Sequence, residues 1–329
     1  MSTQARIDQI QVLRGVAALL VVFSHVHFIG KGAFGVDIFF CISGFIMMYV
    51  TQRDTSHFIT KRAIRIFPLY WALTLFLFLI ATAKPNLFRS AEASFEFLAK
   101  SIFFIPFDRN GYIEPLLGPG WTLNYEIFFY LIFFASLKTS HKYRMEICST
   151  TLILIVTLGK TLEPTSIPLK FFTQPIILEF ALGMAIFKAF EYTDKKSIPK
   201  HIKTALAASS IAALLYLLQT TIKNSPEDRF FQWGIPAFVF SLGLILLLRD
   251  SKPIPSLMLL GDMSYSLYLT HIFIILGIDR LITSLTTPTL HSSLAALLAI
   301  TLSIMIAYIT WRFFETPIDR KLRKIFIGK

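Results

Sequence analysis

The chain has 329 residues, of which 54% are hydrophobic, 15% aromatic and only 16% charged, with a formal net charge of +12. A soluble globular domain carries about 25% charged residues, so this composition excludes one and marks integral membrane material. The positive balance points away from nucleic acid as a partner, because membrane proteins collect Lys and Arg in their cytoplasmic loops.

A membrane span needs roughly 20 mainly apolar residues. Candidate spans fall at about 9–29, 34–51, 66–83, 120–137, 146–162, 172–190, 204–221, 232–248, 257–278 and 291–312. Asp8 and Arg14 interrupt the first and no small-residue cleavage site follows, so it reads as a retained helix, not a cleavable signal. With the N-terminus inside, roughly two thirds of the 32 basic residues fall on one side, as the positive-inside rule requires. The expected fold is therefore an all-α integral membrane bundle of about ten transmembrane helices, with both termini cytoplasmic. Residues 1–329 read as a single membrane domain in the plasma (inner) membrane, with no soluble domain appended. Cys41 and Cys148 lie in or beside apolar runs and imply no disulfide framework. No internal repeat supports a transporter built from inverted repeats.

The first span, "LRGVAALLVVFSHVHF", carries two costly side chains. Arg14 and His25 are eleven residues apart, about three helical turns, so they share a face and are separated by roughly 16–17 Å along the axis. Arg suits an anion, phosphate above all, and His suits proton transfer near neutral pH. Together they fit a phosphate-headed donor whose long arm reaches toward His25. Snorkelling of Arg14 to the headgroups and simple packing of His25 are the competing explanations. His27 points elsewhere.

The second span, "FGVDIFFCISGF", brings Asp37, which can orient a histidine on a neighbouring helix or serve as an N-cap. Its Ser43 and Gly44 permit close helix approach. In "KRAIRIFPLYW", Arg62 and Arg65 are three apart and share a helical face; positive-inside bias and a second phosphate site explain them equally well.

Residues 84–120 are apolar only in patches and are cut by Pro106, Pro115 and Pro119. They read as an extracytoplasmic segment with an interfacial helix near 94–105, either a lid or an acceptor-binding element. In "GPGWTLNYEIFFY", Glu126 sits within an apolar helix and must be paired, protonated or set against a wet cavity. Trp121 and Tyr125 are belt aromatics or a sugar-stacking platform. "GDMSYSLYLTHIF" places Ser264, Tyr268 and His271 on one helical stripe. "WRFFETP" puts Glu315 and Pro317 just past the last span, where they read as a helix stop. No nucleotide-binding loop, zinc motif or nucleophile elbow occurs, and metal-free group transfer is the simplest chemistry left.

These segments, in this order from residue 6 to about 324, resemble the membrane acyltransferase-3 family, and the wording "GWTLNYEIFFY" is similar to that of the exopolysaccharide O-acetyltransferases of the succinoglycan type. The resemblance implies transfer of an acyl group, acetyl above all, from cytoplasmic acyl-CoA to a hydroxyl of an exported or lipid-linked polysaccharide. No permanently bound cofactor is implied. By its motifs His25 corresponds to the family's essential histidine, and Arg14, Arg62 and Arg65 to its donor-side arginines. Ser43, Gly44 and Phe45 match its Ser-Gly-Phe signature. His25 is then the base, with Asp37 to orient it and Glu126 to position either His25 or the acceptor, and Ser43, Trp121, Tyr125 and His271 lie toward the substrate. The expected partners are acyl-CoA, the glycan and membrane lipids, with no nucleic acid. Direct transfer and an acyl-histidine intermediate both remain open, as do a lipid, peptidoglycan or small-molecule acceptor and, from another class, a transporter of sugars or lipid-linked intermediates.

Overall fold

Apolar residues at positions 10, 13, 17, 18 and 21 recur at helical spacing, and Asp8 sits in the first turn, where the helix dipole favours an acid. The segment is accordingly helical as α1, Asp8–His25, with Ile10, Leu13, Ala17, Ala18 and Val21 buried. The structure is a computed structural model that describes residues 7–26, 29–84, 94–109, 111–194, 198–220, 228–252, 254–283 and 290–328. His27 and residues 85–93 lie outside the described residues.

The remaining helices follow in order: α2 (Gly35–Val50), α3 (Phe58–Ala83), α4 (Phe95–Ile102), α5 (Trp121–Thr139), α6 (Arg144–Leu162) and α7 (Ile167–Phe172). After these come α8 (Leu178–Asp194), α9 (Lys200–Gln219), α10 (Ile235–Leu247), α11 (Pro255–Asp262), α12 (Ser264–Thr283), α13 (Leu290–Thr310) and α14 (Thr316–Phe326). The described strands are β1 (Asp108–Arg109) and β2 (Tyr112–Ile113), which pair antiparallel. π-type turns occupy Phe230–Gly234 and Trp311–Glu315.

Each expected span overlaps helix among the described residues, though not always one helix each, and the chain is an all-α membrane protein. Among the described residues, five helices are long and apolar enough to cross a membrane unaided. A sixth results if α11 and α12, bent by 73° at their junction, count as one broken span. The 257–278 window thus hides a break. At 16 residues α2 is apolar but short.

The chain divides into two compact units, although its apolar pattern reads as one domain. The first comprises Met1–Thr55 and Leu178–Trp311. Here α2 and α8 meet through reciprocal glycines. A Cβ on Gly44 would lie 2.0 Å from the Phe180 carbonyl oxygen, and one on Gly183 would lie 2.0 Å from that of Cys41. The Ser43–Gly44 pair therefore serves close helix approach, and Ser43 is buried there. Gly261 of α11 abuts α1 in the same manner, with Gln11 O 2.1 Å from its would-be Cβ. The open position Gly277, with no atom within 4 Å of a Cβ, makes an internal control. Gly44→Val is expected to destabilise by about 1–3 kcal/mol through overpacking, whereas Gly277→Ala, in a helix interior, should gain about 0.5–1 kcal/mol. Thermal unfolding of the two purified variants in one detergent checks both signs.

The second unit comprises Ser56–Ile177 and Arg312–Lys329. The segment before α5 is tied down in it. Ser94 caps α4 by accepting from Glu96 N at 3.1 Å. Tyr70 Oη donates to Ser101 O at 3.1 Å, Trp71 Nε1 to Ile102 O at 3.0 Å, and Leu116 N to Ser101 Oγ at 3.0 Å. Arg109 pairs with Glu114 across the small hairpin. A helix stands where 94–105 was expected to form one, and Phe95, Phe103 and Tyr112 on this segment are exposed.

Candidate active site

In the first unit, α1 carries Arg14 and His25. Arg14 Nη2 donates to Ser264 Oγ, 2.9 Å away at the start of α12, so the break between α11 and α12 brings a helix N-terminus to this arginine. Three turns on, His25 is an exposed residue in the last turn of α1. Its Nδ1 lies 2.9 Å from Val21 O and 3.2 Å from Ser24 Oγ. A carbonyl oxygen only accepts, so Nδ1 carries the hydrogen and Nε2 keeps its lone pair. That is the tautomer a base needs. The ring packs edge-to-face against His271 of α12, with centroids 4.8 Å apart.

Asp37 has a different employment from the one expected of it. It is fully buried and accepts two bonds from Arg229, from Nη2 at 2.7 Å and Nε at 3.1 Å. The Val21 carbonyl and Ser24, not Asp37, fix the imidazole of His25. Arg229 also donates to Ala33 O at 3.3 Å and lies 4.9 Å from the ring of Trp233. Glu179, fully buried on α8, is the neighbour of Asp37 and Arg229. Sequence reading missed both partners. Glu179 was visible as the one charge within the apolar run "PIILEFALGMAIF", the usual sign of a functional or paired intramembrane group. Arg229, 192 residues from Asp37, gave no such sign.

In the second unit, Arg62 and Arg65 stand with Glu126, Tyr130, Glu315 and Arg323. Arg65 Nη1 lies 3.5 Å from Glu315 Oε1, so Glu315 is an ion-pair partner, and the helix stop expected at Glu315 and Pro317 is not there: the backbone stays helical through the π-type turn into α14. Arg62 has Tyr130, Arg65, Arg323 and Glu126 as its electrostatic neighbours, and Tyr130 Oη donates to Glu126. Arg323 is itself clamped by Asp319 at 2.6 and 3.0 Å. Several cations within one small cluster suit an anionic ligand. Ile64, Arg65, Pro68, Leu69, Glu315 and Ile318 line a cleft between α3 and α14.

The aromatic platform is corrected in part. Tyr125 is 3% exposed, stacks on Phe171 at 4.1 Å and donates its hydroxyl to Phe171 O at 2.7 Å. Its ring and its polar end are both spent on packing. Trp121 is half-buried, with its ring edge-to-face on Tyr125 at 6.0 Å.

Comparison with known proteins adds to this geometry. The family model described as an acyltransferase domain matches residues 7–312. The chain is 32% identical over 307 residues to the exopolysaccharide production protein ExoZ of Rhizobium meliloti, covering 90% of this chain and 92% of that one. It is 26% identical over 360 residues to the peptidoglycan O-acetyltransferase OatA of Listeria monocytogenes, covering 95% of this chain and 56% of OatA. The O-acetyltransferase OatA of Staphylococcus aureus is likewise 26% identical over 353 residues, with 95% and 57% covered. No solved structure matches. A family match over residues 7–312, together with a relative matched over nearly its whole length, places the chain in the membrane acyltransferase-3 family.

Proposed function

We propose that the protein is a membrane O-acyltransferase that moves an acetyl group from acetyl-CoA to a hydroxyl of an exported or lipid-linked polysaccharide. The observation that carries this reading is His25: an exposed imidazole with Nδ1–H directed at the Val21 carbonyl, which leaves the lone pair on Nε2. The ExoZ relative, matched over nearly its whole length, supports a polysaccharide as acceptor over peptidoglycan. The bundle sits in the plasma membrane with about ten spans and both termini cytoplasmic, a topology supported by the placing of basic residues in its loops.

In this mechanism the acceptor hydroxyl gives its proton to His25 Nε2 as its oxygen bonds to the thioester carbonyl carbon. The carbon–sulfur bond then breaks, and the departing thiolate takes the proton from the imidazolium, leaving the ester and free CoA. The donor's phosphates are the ligands for which the arginines are suited, Arg14 on α1 and the Arg62–Arg65 pair on α3.

Glycan acetyl content, measured by NMR, in a deletion strain complemented with wild type or with His25→Ala tests the function. Acetylation is expected only with wild type. Equal acetylation from both complements would overturn the role of His25, and sugar flux without acetyl-CoA would favour a transporter. Separately, Arg62→Gln is expected to raise KM for acetyl-CoA about tenfold, the worth of one charge-assisted bond of roughly 1.5 kcal/mol, and to leave kcat within a factor of about 2. Steady-state kinetics on the purified protein reads both parameters.

A further inference from the structure

His271 is buried completely, and its Nδ1 lies 3.1 Å from Leu267 O. The same reasoning applies as for His25: Nδ1 holds the hydrogen and Nε2 holds the lone pair. That Nε2 is buried without a hydrogen-bond partner among the described residues. On the same two helices Val22, Val26, Leu267 and Ile275 are buried in one apolar core cluster, and the ring of Tyr268 lies 6.2 Å from that of His271. An unsatisfied buried acceptor costs about 1–3 kcal/mol, and a wholly apolar side chain would fill the site without that cost. Packing alone therefore does not account for an imidazole here.

The neighbouring ring does. A neutral imidazole locked in one tautomer by a carbonyl is a fixed dipole, with its negative end at the bare nitrogen. In surroundings of low polarity such a dipole stabilises a positive charge that develops beside it, without having to reorganise when the charge appears. The charge that develops is on the ring of His25 as it takes the hydroxyl proton, and the centroids of the two rings are 4.8 Å apart. Resting on the reading of His25 as the base, we propose that His271 is a positioning residue whose unpartnered Nε2 stabilises the His25 imidazolium during acyl transfer. It does not touch the substrate, since it is fully buried whereas His25 is exposed. Its action is exerted through His25.

The test uses the full-length protein in nanodiscs, with kcat, KM for acetyl-CoA and the thermal midpoint measured for each variant. His271→Phe keeps a ring against His25 and removes the lone pair. It is expected to lower kcat about 10–100-fold, with KM within about twofold and a thermal midpoint at or above that of wild type. Wild-type kcat in this variant, or a fall in kcat matched by a lower midpoint, would overturn the proposal. His271→Gln and His271→Met form a second contrast that holds even where the Phe variant does not fold, because the two side chains have similar shape and only Gln offers an acceptor at the position of Nε2. Gln should be about tenfold faster than Met; equal rates sink the idea. An inactive His25→Ala beside a fully active His271→Phe would reject this inference alone, while an active His25→Ala would reject the reading on which it rests.

Discussion

Replacement of His25 by alanine is expected to lower kcat by about 10²–10⁴, the usual contribution of a general base, while leaving KM for acetyl-CoA and the thermal midpoint near their wild-type values. The separation follows from where His25 sits. Its ring is exposed, and the bonds it makes are to groups of its own helix turn, Val21 O and Ser24. Its removal breaks none of the hydrogen bonds between distant parts of the chain, and the long-range contact it gives up is the edge-to-face packing on His271. Arg14 is held independently by Ser264, so the donor anchoring proposed for α1 is expected to survive the change. Single-turnover acetyl transfer to purified polysaccharide by the variant measures the loss. Transfer within tenfold of wild type would remove His25 from the mechanism. A fall in kcat shared with a fall in stability would instead make the histidine part of the fold.

The pair on α1 was legible in the sequence because both members belong to one helix, and helical geometry alone relates them. The helices were legible for a similar reason: each is a local apolar run, and in a membrane the backbone must satisfy its own hydrogen bonds within the segment. What was hidden depends on distant residues. The 73° break between α11 and α12 has no proline at the bend; it forms where Gly261 closes onto Gln11 O of α1, a contact between residues 250 positions apart in the chain. Tyr125 looked like a platform aromatic because its partner, the Phe171 carbonyl, lies 46 residues on. Glu315 looked like a helix stop because Arg65 is far away in sequence. The polar site is thus legible in its residue types and not in its pairings. Asp37 is the clearest case, being read as a support for His25 when its charge is taken by Arg229.

That pairing leads to the largest expected effect on stability. One guanidinium, Arg229, lies among two fully buried carboxylates, Asp37 and Glu179. Arg229→Leu leaves two adjacent acids with no counter-charge in an apolar interior, and breaking a buried pair in this way costs about 3–5 kcal/mol. Asp37→Asn removes one acid but leaves Arg229 beside Glu179, so its cost should be the smaller one of weakened hydrogen bonds, about 1–3 kcal/mol. Glu179→Gln leaves the Asp37–Arg229 pair whole and should be the mildest of the three. The expected order of thermal midpoints is therefore Glu179→Gln above Asp37→Asn above Arg229→Leu. Equal damage from Asp37→Asn and Arg229→Leu would show that Glu179 does not compensate Arg229. The consequence extends to activity through the start of α2. Gly32 and Gly35 there press on the backbone of α1, with Leu20 O and Ala17 O 2.2 and 2.4 Å from their would-be Cβ atoms. Arg229 bonds both Asp37 and Ala33 in that same stretch. Loss of Arg229 frees the surface against which Ala17 and Leu20 of α1 pack, in the turns that lead into His25. Acetyl transfer by Arg229→Leu, assayed well below its lowered midpoint, should accordingly fall in kcat more than in donor KM, as expected when the base is misplaced and the donor site is not.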